Sequence, residues 1–142
     1  MLRLSRLSDY ATAVMACLAG EPQRILSAAE IAERAHLELP TVSKLLKRLA
    51  RAGLVESFRG AHGGYRLGRD PRAISLAEVV EAIDGPIAMT DCARHEPACE
   101  RERYCTVREP WRRISRSIEL ALRGTSIAEL APARCIPIRT LP

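Results

Sequence analysis

No stretch of this 142-residue chain stays apolar for long. The longest nearly apolar run, Ala11 to Ala19, is broken by Thr12, and it falls well short of the roughly 20 residues that cross a bilayer. A membrane span is therefore excluded. The opening Met1-Leu2-Arg3-Leu4-Ser5-Arg6 leads into an amphipathic stretch with no small-residue cleavage site, which argues against a signal peptide and for a cytoplasmic protein. Catalytic signatures are missing as well. There is no glycine-rich phosphate loop, no Gly-x-Ser-x-Gly and no paired-histidine metal motif, and His36, His62 and His95 fall in expected loops without evident partners. The chain is not expected to be an enzyme. Its five cysteines are an odd number in a chain with no secretory leader, which argues against a disulfide framework. Internal repeats and low-complexity tracts are also lacking.

What remains is the composition of one packed domain with an appendage: 47% apolar and 27% charged, too apolar for disorder. The net charge of +5 favours polyanionic partners only weakly. Its distribution says more. Between Thr41 and Arg69 stand seven basic residues (Lys44, Lys47, Arg48, Arg51, Arg59, Arg66 and Arg69) and one acid, Glu56. A charge cluster is ordinarily a solvated face, so the pattern around it has to decide.

Leu7, Tyr10, Ala11, Val14, Met15 and Leu18 follow the i, i+3, i+4, i+7 rule, predicting a helix from Ser8 to Ala19 that stops at Gly20. Ser27-Ala-Ala-Glu30 has the form of a capping box and opens a short second helix to Ala35. After a turn at His36 to Leu39, Pro40 suits the start of a third helix, with Val42, Leu45, Leu46 and Leu49 inward and Thr41, Ser43, Lys44, Lys47, Arg48 and Arg51 outward. Gly53 is placed to end it. Two helices around a turn, the second with a basic outer face, have the layout of a helix-turn-helix. Leu54 to Phe58 and Tyr65 to Leu67 then read as a β-hairpin over Arg59-Gly60-Ala61-His62-Gly63-Gly64. This is a wing, whose glycines permit positive φ and close approach to phosphate. On this layout Thr41, Ser43, Lys44 and Lys47 face the major groove of double-stranded DNA, and Arg59, His62 and Arg66 reach phosphate or the minor groove. Ser75-Leu-Ala-Glu78 caps a fourth helix that stops at Gly85-Pro86.

From Ile87 to Val107 no period holds. This loop carries Cys92, Cys99 and Cys105 in the spacing Cys-x6-Cys-x5-Cys. Thiolates suit iron-sulfur clusters and zinc alike, so the residues leave three readings open: a cluster, a structural zinc site completed by His95, or a thiol switch. Cys17, among apolar neighbours, reads as structural, and Cys135 as incidental. A long helix over Arg108 to Arg123, with Trp111, Ile114, Ile118, Ala121 and Leu122 on one face, has nothing nearby in sequence to cover it and is expected to pair in a homodimer. Ser126-Ile-Ala-Glu129 caps a last short helix.

The expected fold is mainly α with a small β-hairpin. A winged helix-turn-helix domain (1–86) is followed by the cysteine loop (87–107), the dimerisation helix with the short C-terminal helix (108–131), and a tail (132–142). A small redox protein carrying a cluster, or a cluster- or zinc-stabilised interaction module, would need neither the helix-turn-helix nor the basic wing.

Leu7-Ser8-Asp9-Tyr10-Ala11, the wing Arg59 to Leu67 and the three cysteines before a long helix resemble the Rrf2 family of bacterial winged-helix regulators. Pro40 to Lys44, Gly85 to Cys92 and Trp111-Arg112-Arg113-Ile114 look most like the subgroup that regulates the SUF iron-sulfur cluster assembly system. The resemblance covers residues 1–131. It implies a homodimeric DNA-binding regulator, a repressor of cluster-assembly genes, that holds a [2Fe-2S] or [4Fe-4S] cluster on Cys92, Cys99 and Cys105. The first cysteine gap is one residue longer than usual in such relatives. The ISC-type regulator takes a histidine three residues past its third cysteine as fourth ligand, and Arg108 stands there in this chain. The nitric-oxide sensor of the family uses an aspartate of the partner subunit's first helix, and Asp9 matches that place. Read from the chain alone, Asp9 at a helix start is more simply a cap or a dipole charge. If it is only that, water, His95, Glu102 or a small thiol would complete the site.

Overall fold

The computed structural model describes residues 3–93 and 100–131. Among the described residues, six α-helices and one two-stranded antiparallel hairpin make up the architecture. The first helix, α1 (Arg6–Gly20), begins two residues before the periodicity places it. Ser5 is the cap, its Oγ accepting the Ser8 N–H at 3.0 Å. The Asp84 carboxylate in turn accepts from the Ser5 hydroxyl at 2.8 Å and from that of Ser8 at 2.6 Å. Ser8 is thus fully buried inside the helix rather than standing at its entry. Ala11, Val14, Met15 and Leu18 line the buried face of α1, and the rest of the domain packs around that face.

Helix α2 (Ala28–Ala35) starts on the reciprocal Ser27–Glu30 capping box and ends at His36, which takes a left-handed conformation at φ 55°. Helix α3 (Leu39–Arg51) follows after two residues. Pro40 sits in its first turn, where the missing N–H costs nothing, and Val42, Leu45, Leu46 and Leu49 are wholly buried. Strands β1 (Val55–Phe58) and β2 (Gly64–Leu67) pair antiparallel, Val55 opposite Leu67 and Phe58 opposite Gly64. A feature invisible to local periodicity is the bridge from Leu26 to Tyr65, whose backbones exchange hydrogen bonds of 2.9 and 2.7 Å. Leu26, just before the Ser27 cap of α2, therefore extends the hairpin and holds the wing against the helix-turn-helix.

Helix α4 (Leu76–Asp84) is capped by Ser75 and Glu78 and ends at Gly85, φ 82°. In the following segment, irregular as expected, the described residues form 3-10 turns at Asp91–Ala93 and Glu102–Tyr104. Helix α5 (Arg108–Arg123) then packs beside α4 and the segment that follows it. The Met89 N–H donates to the buried Ser115 Oγ at 3.0 Å, and Arg123 bridges Glu81 at 2.7 Å and Glu119 at 2.8 Å. Trp111, Ile114 and Leu120 stay exposed. Helix α6 (Ile127–Leu130) returns to the winged domain: Ile127 is fully buried, its N–H bonds the Ile74 carbonyl at 2.9 Å, and Leu76 bonds Thr125 at 2.8 Å. The sequence groups this helix with α5, whereas its packing partner is the core around α1.

Candidate nucleic-acid interface and cysteine segment

The turn between α2 and α3 is tight because His36 adopts the left-handed state and Leu37 bonds back to the Ala32 carbonyl at 3.0 Å. This geometry buries the apolar stripe of α3 and turns its polar side outward. Lys44 and Lys47 are exposed, and Thr41 and Ser43 half-buried, on that outer face. Neither lysine is engaged in an ion pair among the described residues, so both cations are available to an anionic partner.

Arg48 behaves differently from its neighbours. One turn beyond Lys44, it is half-buried and donates to the Ile83 carbonyl at 3.1 Å, tying α3 to the end of α4. Helical spacing alone assigns it to the same basic face, and only the position of α4 shows it as a strut.

At the hairpin, Arg59 and His62 are exposed at the tip. Arg66 is half-buried, pairs with Glu56 at 3.0 Å and lies over the Phe58 ring at 5.0 Å from its centroid. The wing glycines have separate tasks. Gly60, at φ 103°, has open space where a side chain would be. A Cβ at Gly63 would collide with the Phe58 carbonyl, and one at Gly64 with the Leu26 backbone. These two make a close approach to the protein's own chain, a structural role the sequence reading does not separate from approach to a phosphate.

Of the cysteines expected to act together, Cys92 and Cys105 are described and Cys99 lies outside the described residues, as does His95. Cys92 sits in the 3-10 turn with its Sγ 3.2 Å from the Thr90 hydroxyl, and its carbonyl accepts from Arg112 Nε of α5 at 3.4 Å. Cys105 ends the second turn and is half-buried. Both are thiols rather than disulfide partners. Cys17 is buried at 4% exposure in the core, as its apolar neighbours suggest. Cys135 lies outside the described residues.

Asp9 is exposed in the first turn of α1 and is not its cap, a task done by Ser5. Among the described residues, Asp9, Cys92 and Cys105 do not form one donor set within the chain. Thr90, beside the Cys92 sulfur, and Asp84, which holds the start of α1, are contacts that the sequence reading missed. The signal for Thr90 was its place two residues before a cysteine; for Asp84 there was none, because its partners are more than seventy residues away.

Comparison with known proteins accords with this geometry. The regulator named IscR from Xenorhabdus nematophila is 36% identical over 130 residues, spanning 91% of this chain and 79% of the relative. Its namesake from Vibrio cholerae is 35% identical, spanning 91% and 75%. Among solved structures, CymR, the global cysteine regulator of B. subtilis, superposes with TM-score 0.74 at 32% identity, covering 92% of this chain and 97% of that one. IscR of T. potens gives 0.71 at 29%, covering 91% and 85%. An oxidised form of Staphylococcus aureus CymR gives 0.67 at 26%, covering 92% and 96%. The family model described as an iron-dependent transcriptional regulator, Rrf2, matches residues 4–133. A helix-turn-helix with a basic outer face, a braced wing and a match across nearly the whole chain lead to one conclusion: this protein belongs to the Rrf2 family of DNA-binding transcription regulators.

Proposed function

We propose that the protein is a homodimeric operator-binding repressor whose cysteine segment reports iron-sulfur or redox status, with SUF cluster-assembly genes as its targets. The observation that carries this reading is the anchorage of the segment on α5. Cys92 is bonded through its carbonyl to Arg112, and Met89 through its N–H to Ser115. A change at the thiols therefore bears on the helix that links to α4 through Arg123, and α4 is tied to the DNA-facing helix through Arg48. Cluster loss or thiol oxidation would shift the spacing of the two recognition helices of a dimer, and the ligation state is thermodynamically linked to operator affinity.

The donor chemistry suits a cluster. Cys92 and Cys105 are half-exposed soft ligands outside any disulfide, with Cys99 expected as the third, and the Thr90 hydroxyl can donate to the Cys92 sulfur. When bound, an iron-sulfur cluster would supply a redox- and oxygen-sensitive link among these thiolates. Asp9 of the partner subunit is the proposed fourth ligand; its exposure and its freedom from capping leave its carboxylate available.

Anaerobic purification with absorption spectra and iron and sulfide assay tests this reading. Visible absorption that disappears in Cys92→Ala, Cys99→Ala and Cys105→Ala supports it, and a colourless, zinc-loaded wild type overturns it. A second reading is a thiol switch without a cluster, favoured by the likeness to a CymR structure in an oxidised form. Under that reading peroxide produces a disulfide between two of these cysteines, seen by non-reducing peptide mapping, and operator affinity changes in protein that never held iron.

A further inference from the structure

Every leucine in the body of α3 is buried: Leu45, Leu46 and Leu49 have no exposed surface. Leu39, the first residue of the helix, is 45% exposed. A helix start often places an apolar residue outside the cap to pack on the first turn. Here that position is Leu37, which lies against the core, one residue before the Glu38 cap. Leu39 is not needed for that contact.

Its position on the helix is informative. Leu39, Ser43 and Lys47 are spaced by four residues, so they form one ridge along the outer face of α3. Ser43 and Lys47 are two of the side chains placed toward the major groove, and Leu39 is the N-terminal end of the same ridge. In helix-turn-helix docking the N-terminal residues of the recognition helix meet the base edges. The apolar group a major groove offers there is the thymine 5-methyl.

We infer that Leu39 is a base-reading residue that packs against the 5-methyl group of a thymine in each operator half-site. The interaction adds sequence discrimination without neutralising a phosphate, so it leaves the salt dependence of binding unchanged. The inference rests on the DNA-binding reading of α3, and its test separates the two.

The full-length protein, purified anaerobically, is used to select duplexes from a random pool. Each thymine of the selected half-site is then replaced in turn by deoxyuridine, which lacks only the methyl. The expected result is one position at which the replacement weakens wild-type binding about fourfold, the worth of one buried methyl-sized group. Leu39→Ala should bind the thymine and deoxyuridine duplexes equally, with unchanged salt slope and thermal midpoint, since the side chain it removes is exposed. Enrichment of a sequence with no deoxyuridine-sensitive position overturns the inference alone. The same holds if Leu39→Ala keeps the full discrimination. Failure to enrich any sequence overturns the DNA-binding reading, and this inference with it.

Discussion

Arg59 and Arg66 stand on the same hairpin, yet their surroundings differ. Arg66 is already satisfied by Glu56 and the Phe58 ring, whereas Arg59 projects from the tip with no ion pair among the described residues. Each phosphate contact releases counterions, so Arg59→Ala should lower the slope of log affinity against log salt by about 0.9, whereas Lys44→Ala, on the major-groove face, should cost about 1–3 kcal/mol mainly on the cognate operator. Arg66→Ala should lower the slope less, because its guanidinium is shared with Glu56 before DNA arrives. Salt titration of operator binding checks this, and unchanged affinity and unchanged slope for both Arg59→Ala and Lys44→Ala would contradict the winged-helix interface. At Asp9, the capping role belongs to Ser5, so Asp9→Ala should leave stability within about 0.5 kcal/mol, as for other surface substitutions, while altering the visible spectrum of anaerobic protein. A mixed dimer of an Asp9→Ala chain with a chain lacking the three loop cysteines keeps one cysteine segment facing Asp9 only across the interface. A normal spectrum at half intensity supports ligation in trans; one matching the Asp9→Ala homodimer refutes it.

At the level of elements, the wing depends on glycine for an internal reason. Gly64 has φ 156°, and a Cβ there would meet the Leu26 backbone. Gly64→Ala should therefore destabilise the fold by about 1–3 kcal/mol through backbone strain and a lost bridge, measurable by urea denaturation. Gly60→Ala meets no such obstacle, only its positive φ.

The helix starts also make stability depend on acid. The Ser27 N–H holds the Glu30 carboxyl below its ordinary value of 4.5. Burial pushes Glu78 upward, but the Ser75 N–H and Arg69 outweigh it, so it too lies below 4.5. A carboxylate with a depressed folded pKa contributes stability above its unfolded pKa and loses it as pH falls through the folded one. The thermal midpoint should accordingly drop below about pH 4.5. Glu78→Gln, which can still accept the capping bond but does not titrate, should flatten part of that drop.

On the scale of the whole molecule, α5 is the helix that presents large apolar side chains to solvent. Arg123 joins it to Glu81 of α4, while Trp111 and Ile114, on one face of the helix, stand 36% and 43% exposed. A helix with this stripe is stable when a second copy covers it. Trp111→Glu combined with Ile114→Glu should give a folded monomer at micromolar concentration, by sedimentation, with far-ultraviolet dichroism retained and operator affinity lost. A dimer unchanged by both substitutions would place the interface elsewhere.

Local pattern determined the winged-helix fold. Apolar spacing, three serine capping boxes and the positions of Pro40, Gly53 and Gly85 depend on neighbours three or four residues away, so they are written into the sequence. The basic outer face of α3 and the cysteine segment were legible for the same reason. Tertiary structure alone decided what depends on distant partners. It starts α1 at Arg6 because Asp84 holds Ser5 and Ser8, turns Arg48 from a surface cation into a strut to Ile83, and binds the wing to Leu26. It also returns α6 to the core and docks Cys92 on Arg112. These contacts join residues separated by about twenty to eighty positions, and no local periodicity encodes which of them the packed chain brings together.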